Sequence, residues 1–222
     1  MGERVNEVRE MAPFTSISMR GIGKLTVSQG KPQEFRIEGG EAAAGRVTSK
    51  VLEGKLIIDV GRDWIEKISA GFDYLSAQDV HIFITVPELE EVEVTGAAEV
   101  TVNAFKTDSL SLKMVGASNL IAKAIKAKTL RTEIPGAGRM VVDGEVKDLS
   151  VTLAGAGNFS GHDLASKTAK VVLSGVGSVQ LWVADELDVT IAGVGSVEYY
   201  GEPHIKQSVA MLGKVTSMGK KG

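Results

Sequence analysis

Between residues 92 and 200, apolar side chains recur at every second position, and a glycine with small neighbours breaks the alternation at regular intervals. The pattern reads V-E-V-T-G-A-A-E-V-T-V from Val92, L-K-M-V-G-A-S-N-L from Leu112 and T-E-I-P-G-A-G-R-M-V-V from Thr132. It continues as V-T-L-A-G-A-G-N-F from Val151, V-V-L-S-G-V-G-S-V-Q-L from Val171 and V-T-I-A-G-V-G-S-V-E-Y from Val189. The central glycines, Gly96, Gly116, Gly136, Gly155, Gly175 and Gly193, follow one another in steps of 18–20 residues. Period-two alternation predicts strands with one buried face. Two residues before each glycine stand Val94, Met114, Ile134, Leu153, Leu173 and Ile191, and four after it Val100, Leu120, Met140, Phe159, Val179 and Val197. Both runs of each repeat therefore turn their apolar sets toward one interior. A third apolar position follows at Phe105, Ile125, Val146, Leu164 and Val183, in a drifting register.

Repeats of this length, each too small to bury its own interior, predict a solenoid stabilised by stacking of neighbouring coils. The fold class expected is all-β: a single-stranded parallel β-helix with about 18–20 residues per coil, right-handed by the strong bias of parallel crossovers. The glycines are structural corners, where a missing Cβ permits positive φ and lets coils stack at about 4.8 Å. Residues 120–128 (L-I-A-K-A-I-K-A-K) have helical propensity, but their sister repeats read N-F-S-G-H and V-Q-L-W-V, which overrules a helix.

Outside the array the pattern is looser. Residues 1–13 form a polar lead-in, and 14–222 one continuous β-helix with irregular N-terminal coils over 14–90 and regular coils over 91–217. Residues 14–27 hold a first copy of the repeat with Gly21 and Gly23 at its corner, and short strands are expected at 35–37, 47–51, 55–60 and 81–86. An insertion at 62–78 carries Trp64, Phe72 and Tyr74, three of only eleven aromatic residues. After Gly193 a decayed seventh copy places Met211 at the corner, and the final lysines are expected to be loose.

Composition narrows the picture modestly. The 222 residues would fit about ten coils of this period. The net charge of −3 comes from interleaved signs, with no basic patch arguing for nucleic acid. No apolar run is long enough to cross a membrane, and the charged start M-G-E-R-V-N-E-V-R-E is not a signal peptide. Cysteine is absent, which excludes disulfide and thiolate chemistry.

Several stretches together, F-T-S-I-S-M-R-G-I-G-K-L-T-V-S-Q-G, V-P-E-L-E-E-V-E-V-T-G-A-A, the G-A-G/G-V-G array and G-V-G-S-V-E-Y-Y-G-E-P, resemble the "putative auto-transporter adhesin, head GIN domain" family across residues 14–216. The resemblance implies a β-helical protein of Bacteroides-like bacteria, placed at the cell surface or in the periplasm after removal of a signal segment. It supplies no catalytic residues.

A search for chemistry finds no G-x-S-x-G, H-E-x-x-H, P-loop or strand–G-x-G-x-x-G–helix pattern. The repeated G-A-G corners precede strands and so are not phosphate loops. His81, His162 and His204 fall at different phases, as do Asp143, Asp163, Asp185 and Asp188, against the stacked carboxylates a calcium-dependent lyase would need. No metal, cofactor or catalytic residue is expected. The outward position seven residues after each corner holds Asn103, Lys123, Asp143, His162, Trp182 and Tyr200, beside the column Thr101, Ile121, Val141, Ser160, Gln180 and Glu198. Trp182 and Tyr200 would be neighbours on an outer face, and with Trp64, Phe72 and Tyr74 they are the candidate contacts for a ligand or partner. The alternative is that they cover an edge under the C-terminal tail. The expected function is a non-enzymatic extracytoplasmic binding or adhesion-like module for a glycan, envelope component or protein. The alternatives are a lyase-like carbohydrate-active enzyme, or a structural protein that self-associates through solenoid ends or faces.

Overall fold

A computed structural model describes residues 4–61, 80–210 and 212–221. Along the chain the elements are β1 (Arg4–Arg9), β2 (Ser16–Gln29), β3 (Glu34–Gly40), α1 (Glu41–Ala44), β4 (Val47–Leu52), β5 (Lys55–Val60) and β6 (His81–Val86). They continue with β7 (Glu91–Asn103), β8 (Lys106–Ile134), β9 (Ala137–Leu153), β10 (Ala156–Leu173), β11 (Val176–Ile191), β12 (Val194–Tyr200), β13 (His204–Val209) and β14 (Gly213–Ser217). The protein is a β-solenoid of about six turns, with 78% of the described residues in strands and 2% in helix, so the all-β expectation holds. The segment with helical propensity lies wholly within β8.

Successive coils pair in parallel, and the register follows the glycines. Gly21 faces Gly96, Gly96 faces Gly116, Ala117 faces Ala137, Ala137 faces Ala156, Ala156 faces Val176 and Val176 faces Val194. Val94, Met114, Ile134, Leu153, Leu173 and Ile191 are all buried, as are the five third-position residues from Phe105 to Val183. A further inward column that the alternation did not single out, Leu110, Leu130, Leu149, Ala169 and Leu187, is buried with them. Thr132, the one polar residue in the column of Val92 and Val151, donates its hydroxyl to the Ser150 carbonyl at 3.2 Å, which removes the penalty of burying it. Phe159 fills the space left by Gly161: a Cβ there would lie 2.8 Å from the phenyl ring.

The corner glycines are required by close approach more than by backbone conformation. Positive φ occurs at Gly96 and Gly116, but beyond them it moves to the second glycine of the corner, at Gly138, Gly177 and Gly195. What the first glycines share is contact with the coil beneath. A Cβ on Gly155 would sit 1.9 Å from the Gly136 carbonyl oxygen, and one on Gly175 1.9 Å from that of Gly155.

The N-terminal region departs from a simple succession of coils. β5 and β6 pair in parallel with the first and second halves of β2, so they form a coil beneath it although they follow it in sequence. β3 then lies antiparallel to β6, β1 antiparallel to β3, and β4 antiparallel to β5. The lead-in at 4–9 is thus an edge strand. Because these residues build antiparallel covers, the coils number about six rather than ten. The covers protect the lower ends of the parallel ladders from edge-to-edge pairing. The insertion expected at 62–78 falls between the ends of β5 and β6. Its Trp64, Phe72 and Tyr74 lie outside the described residues, as does Met211.

Candidate functional site

The outer face carrying Trp182 is assembled from β9 to β12 and the C-terminal tail. The column Thr101–Ile121–Val141–Ser160–Gln180–Glu198 forms with the register expected from the repeat. It closes at its upper end with a Gln180 to Glu198 side-chain hydrogen bond of 2.9 Å. The neighbouring column does not form as the spacing predicts. In β10, Gly161 faces Leu181 but Ala165 faces Trp182, so residues 162–164 bulge between their partners on β11, while Asp163 and Leu164 stay paired with β9. Trp182 therefore stands over Ala165 and Glu145 instead of His162, and Tyr200 stands over Trp182. The same bulge brings Asp163 opposite Asp143, two carboxylates that counting from the glycines assigns to different phases. Both are engaged: Asp143 Oδ1 accepts from the Ala124 backbone N–H at 2.6 Å, and Asp163 is held by the tail.

That tail lies over Trp182, as the alternative reading of the sequence had it, and only its anchoring was not expected. Lys221 is anchored, not loose. Its ammonium donates to Asp163 Oδ1 at 2.6 Å and to the His162 carbonyl, and lies 4.7 Å from the centre of the Trp182 ring. Gly201 N–H donates to the Gly219 carbonyl at 2.9 Å, which draws the tail along the outside of the last coils. Trp182, beneath the Lys221 ammonium, and Tyr200 are both half-buried. No local signal marks Lys221, because its partners are 39 and 58 residues distant in sequence. The Lys221 hydrogen bond, with His162 adding to it and desolvation opposing, holds the Asp163 carboxyl below its ordinary range.

His162 links this cluster to the polar column: its Nδ1 lies 2.9 Å from Ser160 Oγ and its Nε2 2.9 Å from Asp163 Oδ2. The order serine, histidine, carboxylate is that of a nucleophilic relay, but the groups are differently employed. Ser160 is only 7% exposed, and the Lys221 ammonium occupies the carboxylate that would stabilise an imidazolium. The arrangement fastens this bulge of β10 to the tail. His81, at the other end of the face, contacts Thr26 Oγ1 at 2.8 Å and stacks on Phe83 with centroids 3.8 Å apart. Burial pushes its pKa down, and Lys24 and Arg36 push the same way against Glu38. No group of three or more acidic, histidine or cysteine side chains positioned to hold a metal occurs among the described residues. No helix there is long and apolar enough to cross a membrane.

Solved structures share this fold. A crystal structure described as a putative adhesin from Bacteroides fragilis superposes with a TM-score of 0.88 at 19% identity, covering 97% of each chain. One described as a putative lipid binding protein from Parabacteroides distasonis gives a TM-score of 0.72 at 20% identity, covering 98% of this chain and 97% of that one. A third, a putative adhesin from Parabacteroides merdae, gives 0.63 at 18% identity, covering 98% and 97%. No curated protein matches the chain. The family model described as "Putative auto-transporter adhesin, head GIN domain" matches residues 13–203, and the chain belongs to that family.

Proposed function

We propose that the protein is a non-enzymatic, extracytoplasmic binding module of the adhesion type, which engages a glycan, envelope component or partner protein along its lateral face. The observation that carries this reading is the outward row Trp182–Tyr200, two aromatic side chains held in neighbouring coils at fixed strand spacing. A stacked ladder presents such side chains with little freedom left to lose on binding. Half-buried aromatic side chains on an outer row suit sugar rings or a protein surface. Family membership supports an adhesion-like role and is compatible with export. The description of one structural neighbour as a lipid binding protein keeps an amphiphilic envelope component among the ligands. The structural use of Asp143, Asp163 and His162 argues against catalysis by this face.

The test is a panel of bacterial and host polysaccharides, recording binding and released product on the same samples. Wild type is compared with Trp182→Ala/Tyr200→Ala and with a variant lacking residues 64–75. Saturable binding without products, weakened at least about tenfold in the double variant, is the expected result, since each interface aromatic is commonly worth more than 1 kcal/mol. Product release with turnover would overturn the reading in favour of a carbohydrate-active enzyme.

A further inference from the structure

The outward row that ends at Trp182 and Tyr200 begins, four coils earlier, in a basic groove. Lys106 and Lys126 occupy successive coils, Lys126 faces Glu145, Glu145 faces Ala165, and Ala165 faces Trp182. Five steps at about 4.8 Å make this row, from Lys106 to Tyr200, about 24 Å long. A second row runs beside it. Lys128, Lys147 and Lys167 immediately precede the register-matched Thr129, Asp148 and Thr168, so they too stack on successive coils. Between the rows lie half-buried Ala127 and buried Val146, which form the floor of a groove of about 480 Å³. The walls carry five lysines against Asp108 and Glu145, an excess of three positive charges on a chain whose net charge is −3. Lys128 pairs with Asp108 at 2.9 Å, and among the described residues no ion pair engages Lys106, Lys126, Lys147 or Lys167. The cluster escapes a reading of interleaved charge, because the coils assemble it from lysines spread over some 60 residues.

We infer that this groove binds a linear acidic polysaccharide, laid along the solenoid axis with its carboxylates or sulfates between the two lysine rows and its chain directed toward Trp182. The inference rests on the binding-module reading above and names its ligand class. Three features select the occupant. The lysines repeat at the spacing of the coils, which suits a polymer with charges at regular intervals. Ala127 and the methylene stems of the lysines give apolar surface on which the hydrocarbon face of a sugar ring can lie. Among the described residues no aromatic side chain lines the lysine section, which thus lacks the stacking platform that single-stranded nucleic acids use.

The experiment measures binding of the full chain to polygalacturonate by calorimetry. Methyl-esterified polygalacturonate serves as the neutral counterpart, and an oligothymidylate as a nucleic acid of comparable charge. Two variants of equal charge change are compared: Lys128→Gln/Lys147→Gln/Lys167→Gln in the groove, and Lys31→Gln/Lys50→Gln/Lys214→Gln away from it. All six lysines are surface residues, and thermal melts confirm that both variants fold. Wild type should bind polygalacturonate, with affinity falling about tenfold or more between roughly 50 and 200 mM salt as counterions are released. The groove variant should lose at least about tenfold and the distant variant less than about twofold. Equal losses in the two variants, absence of polygalacturonate binding, or oligothymidylate binding as tight through the same lysines would overturn the assignment. Binding of the neutral polymer alone would overturn it too, while leaving the binding-module reading intact.

Discussion

At the scale of single residues, the corner glycines act through the distance between coils. A methyl group on Gly155 would overlap the Gly136 carbonyl, and backbone oxygen on a paired strand cannot move aside as a side chain can. Gly155→Ala is expected to destabilise by about 2–3 kcal/mol, in the upper range for overpacking. Gly40→Ala, where a Cβ meets nothing within 4 Å, should stay within about 0.5 kcal/mol. Denaturant unfolding of both variants checks the contrast. His81 gives a pH dependence. Its folded pKa is depressed, so the unfolded chain binds the proton more readily. Its contribution to stability is present above the unfolded value, near 6.5, and is lost as pH falls through the folded value. An NMR titration should place its midpoint below that of a free histidine, and His81→Gln should flatten the corresponding limb of the stability profile.

At the scale of elements, the coils and their fastenings behave differently. β8 to β11 are paired on both sides and bury apolar side chains in every coil, whereas every residue of β13 is exposed. In a quasi-one-dimensional stack, such a terminal rung frays first. Amides of β13 should exchange well before those of β9 and β10 in a native-state hydrogen-exchange experiment. The tail gives a sharper test. Lys221→Ala removes the cation from Trp182 and the partner from Asp163, so indole fluorescence should become more accessible to an added quencher with the melting temperature little changed. In the wild type, the same gain should appear as pH falls through the lowered Asp163 pKa, because protonation removes the charge that anchors Lys221.

At the scale of the whole molecule, the solenoid has two unlike ends and a long lateral face. The lower end is covered by antiparallel β1 and β4, which stop the parallel ladder from recruiting another strand. The upper end presents β13 and β14 with Ile205, Val209 and Leu212 exposed. The lateral face joins the lysine groove to the aromatic pair, and a polymer lying there would touch six successive coils. Affinity distributed in this way should grow with chain length. A galacturonate dimer, which reaches only about two or three coils, is expected to bind more weakly than a polymer long enough to span the face, and competition between the two measures the difference.

The repeat by itself determined the inward columns flanking the corner glycines, the glycines themselves, the parallel stacking and the adjacency of Trp182 and Tyr200. All of these follow from a period-two alternation closing at a constant length, and so from interactions local to one coil and its neighbour. Tertiary structure decided the rest. β10 bulges after Ser160 against β9 and after Gly161 against β11, which shifts one row against the next, so Asp163 meets Asp143 and Trp182 meets Ala165. Counting from a glycine cannot reveal where a coil takes up extra residues. The strands β5 and β6 slide beneath β2, and Lys221 folds back over Trp182, through pairings that no periodicity encodes. The lysine groove has the same origin: its charges are balanced along the chain and become concentrated only when successive coils bring one phase of each repeat into a single row.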